Sequence, residues 1–228
     1  MSGWPGDRPV VCLITDRRRL SPGAPESAAI ARVVEQVGAA ARAGIGLVQV
    51  REPDLSDAAL HRLVTRCIEA VRGTACRILV NDRMDVAMAA AAHGVHLRAD
   101  AYPARRLRGI VPGGFIVGRS VHSEGESAEI REEGSVDYLL FGTVFRTASK
   151  PPGHPVAGVA GLSAAAAAAG PLPVLGIGGV TAERAAEVAG TGAAGLAGIG
   201  LFLTTEPVEL ARRVSALHRS FDSSSVFP

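Results

Sequence analysis

Eight short apolar segments, each separated from the next by a stretch with helical periodicity, constrain the fold of this 228-residue chain more than any other feature. The segments are bounded by glycine, proline or polar residues, which is typical of strands buried on both faces of a parallel sheet. The predicted strands are Val10–Thr15, Leu47–Arg51, Ile78–Asn81, Val95–Leu97, Phe115–Gly118, Tyr138–Phe141, Val174–Ile177 and Gly195–Ile199.

The stretches between the strands predict helices. In Glu26–Ala43, apolar residues such as Ile30, Val33 and Val37 recur at helical spacing. Ser56 is a capping residue at the start of the next predicted helix. The later predicted helices are Met84–Ala92, Ala104–Ile110, Glu124–Glu133, Leu162–Ala169, Thr181–Ala189 and Pro207–Phe221.

Repeated strand–helix units predict a parallel sheet. Eight of them favour an α/β protein of the TIM (β/α)8 barrel type over the alternative, a doubly wound open sheet, and no GxGxxG fingerprint follows the first strand. The length fits one domain over residues 1–228, with the barrel at about 10–221 and short irregular termini.

Charge and composition exclude several classes of partner. The net charge is +2 and no basic face is evident, so we expect no nucleic-acid partner, and Arg17-Arg18-Arg19 is predicted to be a solvated loop. No run of 18 apolar residues predicts a membrane span, and the first residues lack the apolar segment of a secretion signal. Three widely spaced cysteines, Cys12, Cys67 and Cys76, suit buried reduced thiols. Together these features favour a cytoplasmic protein.

Polar residues are concentrated where the predicted strands end. In a (β/α)8 barrel the carboxyl ends of the strands form the active site. Strands two, three, five, six and seven all run into polar or glycine-rich segments, and their convergence on one rim predicts a site. Its candidate polar residues are Gln49, Arg51, Asn81, Asp82, Ser120, His122, Thr147, Ser149 and Lys150.

Two glycine-containing loops predict a phosphate site. Gly178-Gly179 follows strand seven and precedes a predicted helix start at Thr181, and Ile199-Gly200 ends strand eight. Such loops let backbone N–H groups approach an anion, although tight turns alone would also explain the glycines. Lys150 is the one lysine among 24 basic residues, and its ammonium suits phosphate; a solvated loop lysine is the alternative.

The histidines and carboxylates at the strand ends have competing interpretations. His122 is a candidate general acid/base or a structural histidine, because imidazole titrates near neutrality. His96 lies within strand four and is predicted to pack inside the barrel. Asp82 is a candidate metal ligand, with Asp100 as a second ligand, or it caps the following helix.

Six segments together resemble the thiamin phosphate synthase superfamily, which also contains the thiazole tautomerase TenI. They occur in the family's order and span most of the chain. The segments are Gln49-x-Arg51-Glu52, Val80-Asn81-Asp82-Arg83, Gly94-Val95-His96-Leu97, Gly118-x-Ser120-x-His122-Ser123, Phe141-Gly142-x-Val144-Phe145-x-Thr147-x-Ser149-Lys150 and Gly176-Ile177-Gly178-Gly179-Val180.

The resemblance implies one of two activities. The synthase joins a pyrimidine pyrophosphate to a thiazole phosphate with magnesium, whereas the tautomerase aromatises a thiazole carboxylate phosphate by moving a proton. Here Pro53 replaces a family lysine, and Arg98–Ala101 replaces an acidic stretch in which Asp100 matches only with a one-residue shift. Since these departures weaken the synthase reaction, we interpret the chain first as a TenI-like tautomerase, then as a synthase. A non-catalytic binder of thiamin intermediates is the third interpretation.

The resemblance also assigns roles to the candidate residues. His122 is the general acid/base, Arg51 holds the carboxylate, and Lys150 assists phosphate binding. Ring contacts come from Gln49, Asn81, Ser120, Thr147 and Ser149, and the phosphate is held by Gly178, Gly179, Ile199 and Gly200. Ile199 stands where the family usually has a serine, so a hydroxyl contact is lost. No cofactor is expected for a tautomerase; a synthase would use Mg²⁺ at Asp82. A homodimer is a family-level expectation.

Overall fold

Eight parallel strands close into a barrel in which each strand pairs with its sequence neighbours and β1 pairs with β8. The computed structural model describes residues 4–5, 9–147 and 150–222. The strands are β1 (Val10–Ile14), β2 (Leu47–Val50), β3 (Arg77–Asn81), β4 (Gly94–Leu97), β5 (Ile116–Val121), β6 (Tyr138–Phe141), β7 (Val174–Gly176) and β8 (Gly195–Gly198). The predicted (β/α)8 barrel is therefore confirmed; the domain limits of 1–228 stay a prediction.

Helices surround the barrel and connect consecutive strands. Over the described residues they are α1 (Arg17–Leu20), α2 (Glu26–Arg42), α3 (Asp57–Ala70), α4 (Met84–Ala89), α5 (Arg105–Arg108), α6 (Glu124–Glu133), α7 (Gly158–Ala169), α8 (Ala185–Ala189) and α9 (Pro207–Asp222). The predicted cap of α3 is present, because Ser56 Oγ accepts a hydrogen bond from the Ala59 N–H at 3.3 Å. None of the described helices has the length and apolar character needed to cross a membrane.

Alternate strand residues point into the barrel, where they form an apolar core of their own. Tyr138 is its largest fully buried side chain, and its ring occupies the space that a Cβ at Gly118 on the neighbouring strand would need. The other buried members of this inner cluster are Val10, Cys12, Ile14, Leu47, Leu79, Ile116, Leu140, Leu175 and Ala197. A filled interior leaves the mouth of the barrel as the place for a ligand.

The three cysteines are buried free thiols, as the sequence predicts. Burial raises the pKa of Cys67 and of Cys76 to about 12, and it also raises the pKa of Cys12. A thiol that stays protonated is a poor nucleophile. The cysteines therefore serve the core.

Two predictions about local structure are wrong. Arg17-Arg18-Arg19 is not a solvated loop: it forms most of α1, and Arg17 is 5% exposed. The helix predicted from Thr181 begins at Ala185, after a turn, so no helix N-terminus directly follows the glycine pair Gly178-Gly179. Any phosphate there would have to use the N–H groups of the loop itself.

Candidate active site

A chain of hydrogen bonds links the ends of β2, β3 and β4. Gln49 Nε2 donates to Asn81 Oδ1 at 2.7 Å, and Asn81 Nδ2 donates to Asp82 Oδ2 at 3.1 Å. Arg98, just past β4, donates its backbone N–H to Asp82 Oδ1 at 2.8 Å and places Nε 2.6 Å from Oδ2. We call Gln49, Asn81, Asp82 and Arg98 the rim chain. Three predicted site residues are thus brought together with Arg98, which the sequence does not predict as a site residue.

One acceptor of the rim chain is unused. Gln49 is 2% exposed, and its Oε1 is buried with no hydrogen-bond partner among the described residues. A buried acceptor without a partner costs free energy that a donor can recover. A bound ring that donates a hydrogen bond to this oxygen would satisfy it.

The surroundings of Asp82 bear on the magnesium ion that the synthase would use. Both carboxylate oxygens already accept hydrogen bonds, and Asp100 Oδ1 lies 3.6 Å from the same Arg98 Nε. The guanidinium therefore lies between the two carboxylates that were expected to share the metal. In the described part of the chain, no group of three or more His, Cys, Asp or Glu residues could hold a metal ion. The residues do not fit magnesium in this arrangement, and Asp82 does not cap α4 either.

A second polar network lies deeper, beneath the mouth. His96 Nδ1 is 2.8 Å from the Tyr138 hydroxyl, and His96 Nε2 is 2.9 Å from Ser120 Oγ. Burial, followed by the charge of Arg119, lowers the pKa of His96 to about 3, so the imidazole is neutral and has one donor and one acceptor nitrogen. If the buried Tyr138 O–H donates to Nδ1, then Nε2–H donates to Ser120. The Ser120 hydroxyl hydrogen is then available for a ligand.

His122 follows β5 in register with Ser120, two residues on, and its side chain is exposed. Its Nδ1 lies 2.5 Å from the Gly142 carbonyl oxygen, and Glu126 accepts its backbone N–H at 2.7 Å. A carbonyl only accepts, so Nδ1 carries a hydrogen, and in the neutral imidazole Nε2 holds the lone pair. This arrangement is compatible with the predicted role of base, because the hydrogen bond to Gly142 uses Nδ1 and not Nε2.

The loop after β7 is held against the loop after β6. The Val144 and Phe145 N–H groups donate to the carbonyls of Ile177 and Gly178 at 2.9 and 2.8 Å. Gly178 and Gly179 both have positive φ, and a Cβ at Gly179 would lie 2.8 Å from the Phe145 carbonyl oxygen. Glycine is therefore required here by conformation and by packing.

The N–H groups of the two glycine loops, Gly178-Gly179 and Ile199-Gly200, are suited to bind an anion. Among the described residues, neither the Gly179 N–H nor the Gly200 N–H donates to a recorded acceptor. Unpaired N–H groups in adjacent loops after the last two strands are the features of a barrel phosphate site. The predicted phosphate site is thus geometrically possible without an α-helix N-terminus, although a short 3-10 helix, Gly200–Phe202, begins at the second loop.

A cavity of about 370 Å³ is formed by the connection after β6, which packs against the Gly178-Gly179 loop. Two cationic side chains, Arg146 and Lys150, contribute to its wall, and His154 Nε2 lies 3.2 Å from Thr143 Oγ1. We call it the cationic cavity; its lining is Thr143, Arg146, Thr147, Lys150, Pro151, Pro152, Gly153, His154 and Val156. Ser149 lies outside the described residues. Lys150 and Thr147 are site residues that the sequence predicts, whereas Arg146 and His154 are not.

Two charged residues that differ in exposure, Arg51 and Glu52, follow β2. Arg51 is exposed, and its backbone N–H donates to Thr15 Oγ1 at 3.0 Å. Glu52 is 4% exposed and pairs with Arg17 at 3.0 Å. Burial raises the pKa of Glu52, whereas the hydrogen bond from Arg17 lowers the pKa of Asp54 to about 2. The Arg17–Glu52 pair holds the loops after β1 and β2 together and leaves Arg51 available to a ligand.

Polar and cationic side chains at the carboxyl ends of the strands of a closed barrel are the arrangement in which (β/α)8 enzymes have their active sites. The model of the family described as thiamine monophosphate synthase matches residues 12–202. Because this match covers most of the chain, the chain belongs to that family, and the resemblance inferred from the sequence is confirmed.

Relatives with assigned names support this membership. The chain is 35% identical over 156 residues to the thiamine-phosphate synthase of Roseiflexus castenholzii, covering 68% of this chain and 64% of that protein. It is 35% identical over 145 residues to the thiamine-phosphate synthase of Synechococcus sp. (strain WH7803), covering 64% of this chain and 39% of that protein. The matched region thus spans less than two thirds of the length of these relatives.

Solved structures agree with the barrel. A thiamine phosphate pyrophosphorylase from Pyrococcus furiosus is similar with a TM-score of 0.78 and 28% identity, covering 96% of this chain and 98% of that chain. A structure of 3-hexulose-6-phosphate synthase, at 17% identity and a TM-score of 0.64 over 92% of this chain and 99% of that chain, shares the fold. The second similarity concerns the fold alone.

Proposed function

We propose that this chain is a transferase of thiamin biosynthesis that joins a pyrimidine pyrophosphate to a thiazole phosphate and releases pyrophosphate. The names of the relatives fit this activity better than the tautomerase that we inferred first from the sequence. The preference for the tautomerase, which was based on Pro53 and Arg98–Ala101, is therefore reversed, and the tautomerase becomes the second candidate.

The observation that carries the proposal is that two sets of groups suited to bind anions lie on neighbouring loops. Among the described residues, the Gly179 and Gly200 N–H groups have no acceptor, and the connection after β6, which packs against the Gly178-Gly179 loop, presents Arg146 and Lys150 in the cationic cavity. A synthase binds two phosphorylated substrates at once and needs both sites. A tautomerase substrate has one phosphate and one carboxylate.

Each site then has a defined task. The glycine loops hold the thiazole phosphate, while Arg146 and Lys150 of the cationic cavity contact the pyrophosphate. Negative charge on the pyrophosphate increases as it leaves, so positioned cations stabilise the transition state. Gln49 and Ser120 orient the rings through the unused Oε1 and the hydroxyl.

The test is direct. The purified protein is incubated with both substrates, with and without magnesium, and thiamin phosphate is quantified by its fluorescent oxidation product. A parallel incubation with the thiazole carboxylate phosphate tautomer measures isomerisation. We expect thiamin phosphate to form; isomerisation without any thiamin phosphate would replace this proposal with the tautomerase.

A variant pair tests the two-site assignment. Lys150→Ala should raise the KM for the pyrimidine pyrophosphate by about tenfold, the value of one lost charged contact, with little change in affinity for the thiazole phosphate. Arg212→Ala is the matched control, because Arg212 is an exposed cation paired with Glu209 on α9. Equal effects on both substrates would contradict the assignment of Lys150 to the cationic cavity.

The tautomerase is kept as a second candidate because of Asp82 and His122. Asp82 forms an ion pair with Arg98, and His122 Nε2 has no hydrogen-bond partner within the described ranges. In that reaction His122 would remove and return the proton, and Arg51 would hold the carboxylate.

We also propose a cytoplasmic homodimer from the family resemblance; light scattering should give twice the chain mass of 23.4 kDa.

A further inference from the structure

The three consecutive arginines of α1 have different surroundings. Arg17 is buried and pairs with Glu52 and Asp54, and Arg18 is exposed and pairs with Asp54 at 2.6 Å. Arg19 is also exposed, but its guanidinium makes no ion pair with any carboxylate in the described ranges. One cation of the triplet is therefore available.

Arg19 lies over the loop that follows β8. The strands β1 and β8 are neighbours in the closed barrel, so the connections after them are adjacent. A Cβ built at Gly200 would lie 3.6 Å from Arg19 Nη2. The backbone of Arg19 is fixed by Asp16, whose Oδ1 accepts the Arg19 N–H at 3.0 Å.

The guanidinium and the Gly200 N–H are close enough to share one anion. In any residue the Cβ and the amide nitrogen are about 2.5 Å apart, so Nη2 lies within about 6 Å of the Gly200 nitrogen. Each donor binds an oxygen at about 2.9 Å, so two oxygens of one phosphate can bridge the gap. The Gly200 N–H has no recorded acceptor among the described residues and is available for this contact.

We propose that Arg19 is a phosphate-binding residue of this chain, which completes the site at Gly200 from the loop after β1. Ile199 has no hydroxyl to offer, and the planar guanidinium supplies charged hydrogen bonds in its place. The identity of the ligand as thiazole phosphate rests on the proposed function. Both candidate activities use a phosphorylated thiazole, so the role of Arg19 is the same in either.

The test uses inorganic phosphate as the probe and amide chemical shifts of Gly179 and Gly200 as the readout. Arg19→Ala should weaken phosphate binding by about tenfold or more, as expected for a lost charged hydrogen bond. Arg19→Lys should keep part of the affinity. Arg18→Ala is the matched control, because it removes a neighbouring exposed arginine whose partner is Asp54, and it should leave binding unchanged.

The outcomes separate this inference from the proposed function. Equal phosphate affinity in Arg19→Ala and Arg18→Ala, or no phosphate-dependent shift at Gly200 in the parent protein, would overturn the role of Arg19. A parallel titration with thiazole phosphate and with the unphosphorylated thiazole tests the proposed substrate. If the protein bound phosphate through Arg19 but did not bind thiazole phosphate more tightly than the unphosphorylated thiazole, the role of Arg19 would stand and the proposed function would be wrong.

Discussion

The ends of β2–β4 and the ends of β6–β8 lie on opposite sides of one barrel mouth and use their polar groups in opposite ways. On the first side, the rim chain pairs almost every donor and acceptor with a protein partner, down to the contact between Asp82 and Arg98. On the second side, the Gly179 and Gly200 N–H groups have no recorded acceptor among the described residues. Lys150 likewise forms no ion pair with any carboxylate in the part of the chain that the structure describes.

This difference determines how each side can take part in binding. Unpaired donors held by a rigid backbone bind an anion without breaking an existing bond, so they are preorganised. The rim chain has to exchange one partner for another before a ligand or a metal ion can bind Asp82. We therefore expect changes on the glycine side to alter affinity strongly, and changes on the rim-chain side to alter selectivity.

The largest effect is expected at Gly179. Gly179→Asp should reduce affinity for thiazole phosphate by at least about 100-fold, or about 2.7 kcal/mol, because the carboxylate repels the phosphate. Calorimetry measures the change. Gly179→Ala is the control for strain, since φ is 62° and a Cβ lies close to the Phe145 carbonyl. Unchanged affinity in the aspartate variant would place the phosphate elsewhere.

His122 lies between the two sides and distinguishes the two candidate activities. His122→Asn should lower tautomerisation by about 100-fold, because the amide cannot transfer the proton, and should lower thiamin phosphate formation by less than tenfold. Both rates are measured on the same preparations. The control is His218→Asn, whose histidine contacts the Gly44 carbonyl before β2, at the other end of the barrel. Full tautomerase turnover in His122→Asn would make His122 a structural residue.

The hydrogen-bond network of His96, Tyr138 and Ser120, beneath the mouth, should affect the free energy of unfolding rather than the activity. His96 has a pKa of about 3 in the folded chain, against about 6.5 when unfolded. Between these values the unfolded state binds more protons, so stability is fully present above about pH 6.5 and is lost as the pH falls towards 3. From this group we expect about 2 kcal/mol less stability at pH 5 than at pH 7.

Urea unfolding at the two pH values measures this loss. His96→Asn should be less stable at pH 7, because the hydrogen bonds to Tyr138 and Ser120 are impaired, but its stability should change less between pH 7 and pH 5. An equal pH dependence in both proteins would show that His96 is not the group responsible.

The barrel could be predicted from the sequence because each strand–helix unit is a local pattern that recurs eight times. Local patterns also located Gln49, Asn81, Ser120 and His122 at strand ends, where the closed barrel brings them to one mouth. The burial of Arg17 could not be predicted, because it depends on Glu52, 35 residues away. The local sequence does not show which of three consecutive arginines is buried.

The remaining differences have the same physical origin. Tyr138 lies at the buried start of β6, and only the closure of the barrel brings its hydroxyl to His96. Arg98 lies against Asp82 because β4 is the neighbour of β3, so it contacts both carboxylates that were expected to bind a metal. The helix start predicted at Thr181 is wrong because the glycine pair is fixed against the loop after β6 and the chain needs a further turn before α8 begins.

The smallest expected effect concerns the metal. Arg98 is largely exposed, and an exposed ion pair contributes little free energy, so its guanidinium can be displaced at modest cost. Arg98→Gly should therefore strengthen Mn²⁺ binding by about tenfold or less, measured by electron paramagnetic resonance of the free ion, because Asp82 and Asp100 lose their competing cation. Arg105→Gly, which changes an exposed arginine of α5, is the control. If the parent protein bound Mn²⁺ as tightly as Arg98→Gly, the guanidinium would not compete with the metal, and the rim chain would be as open to a ligand as the glycine loops are.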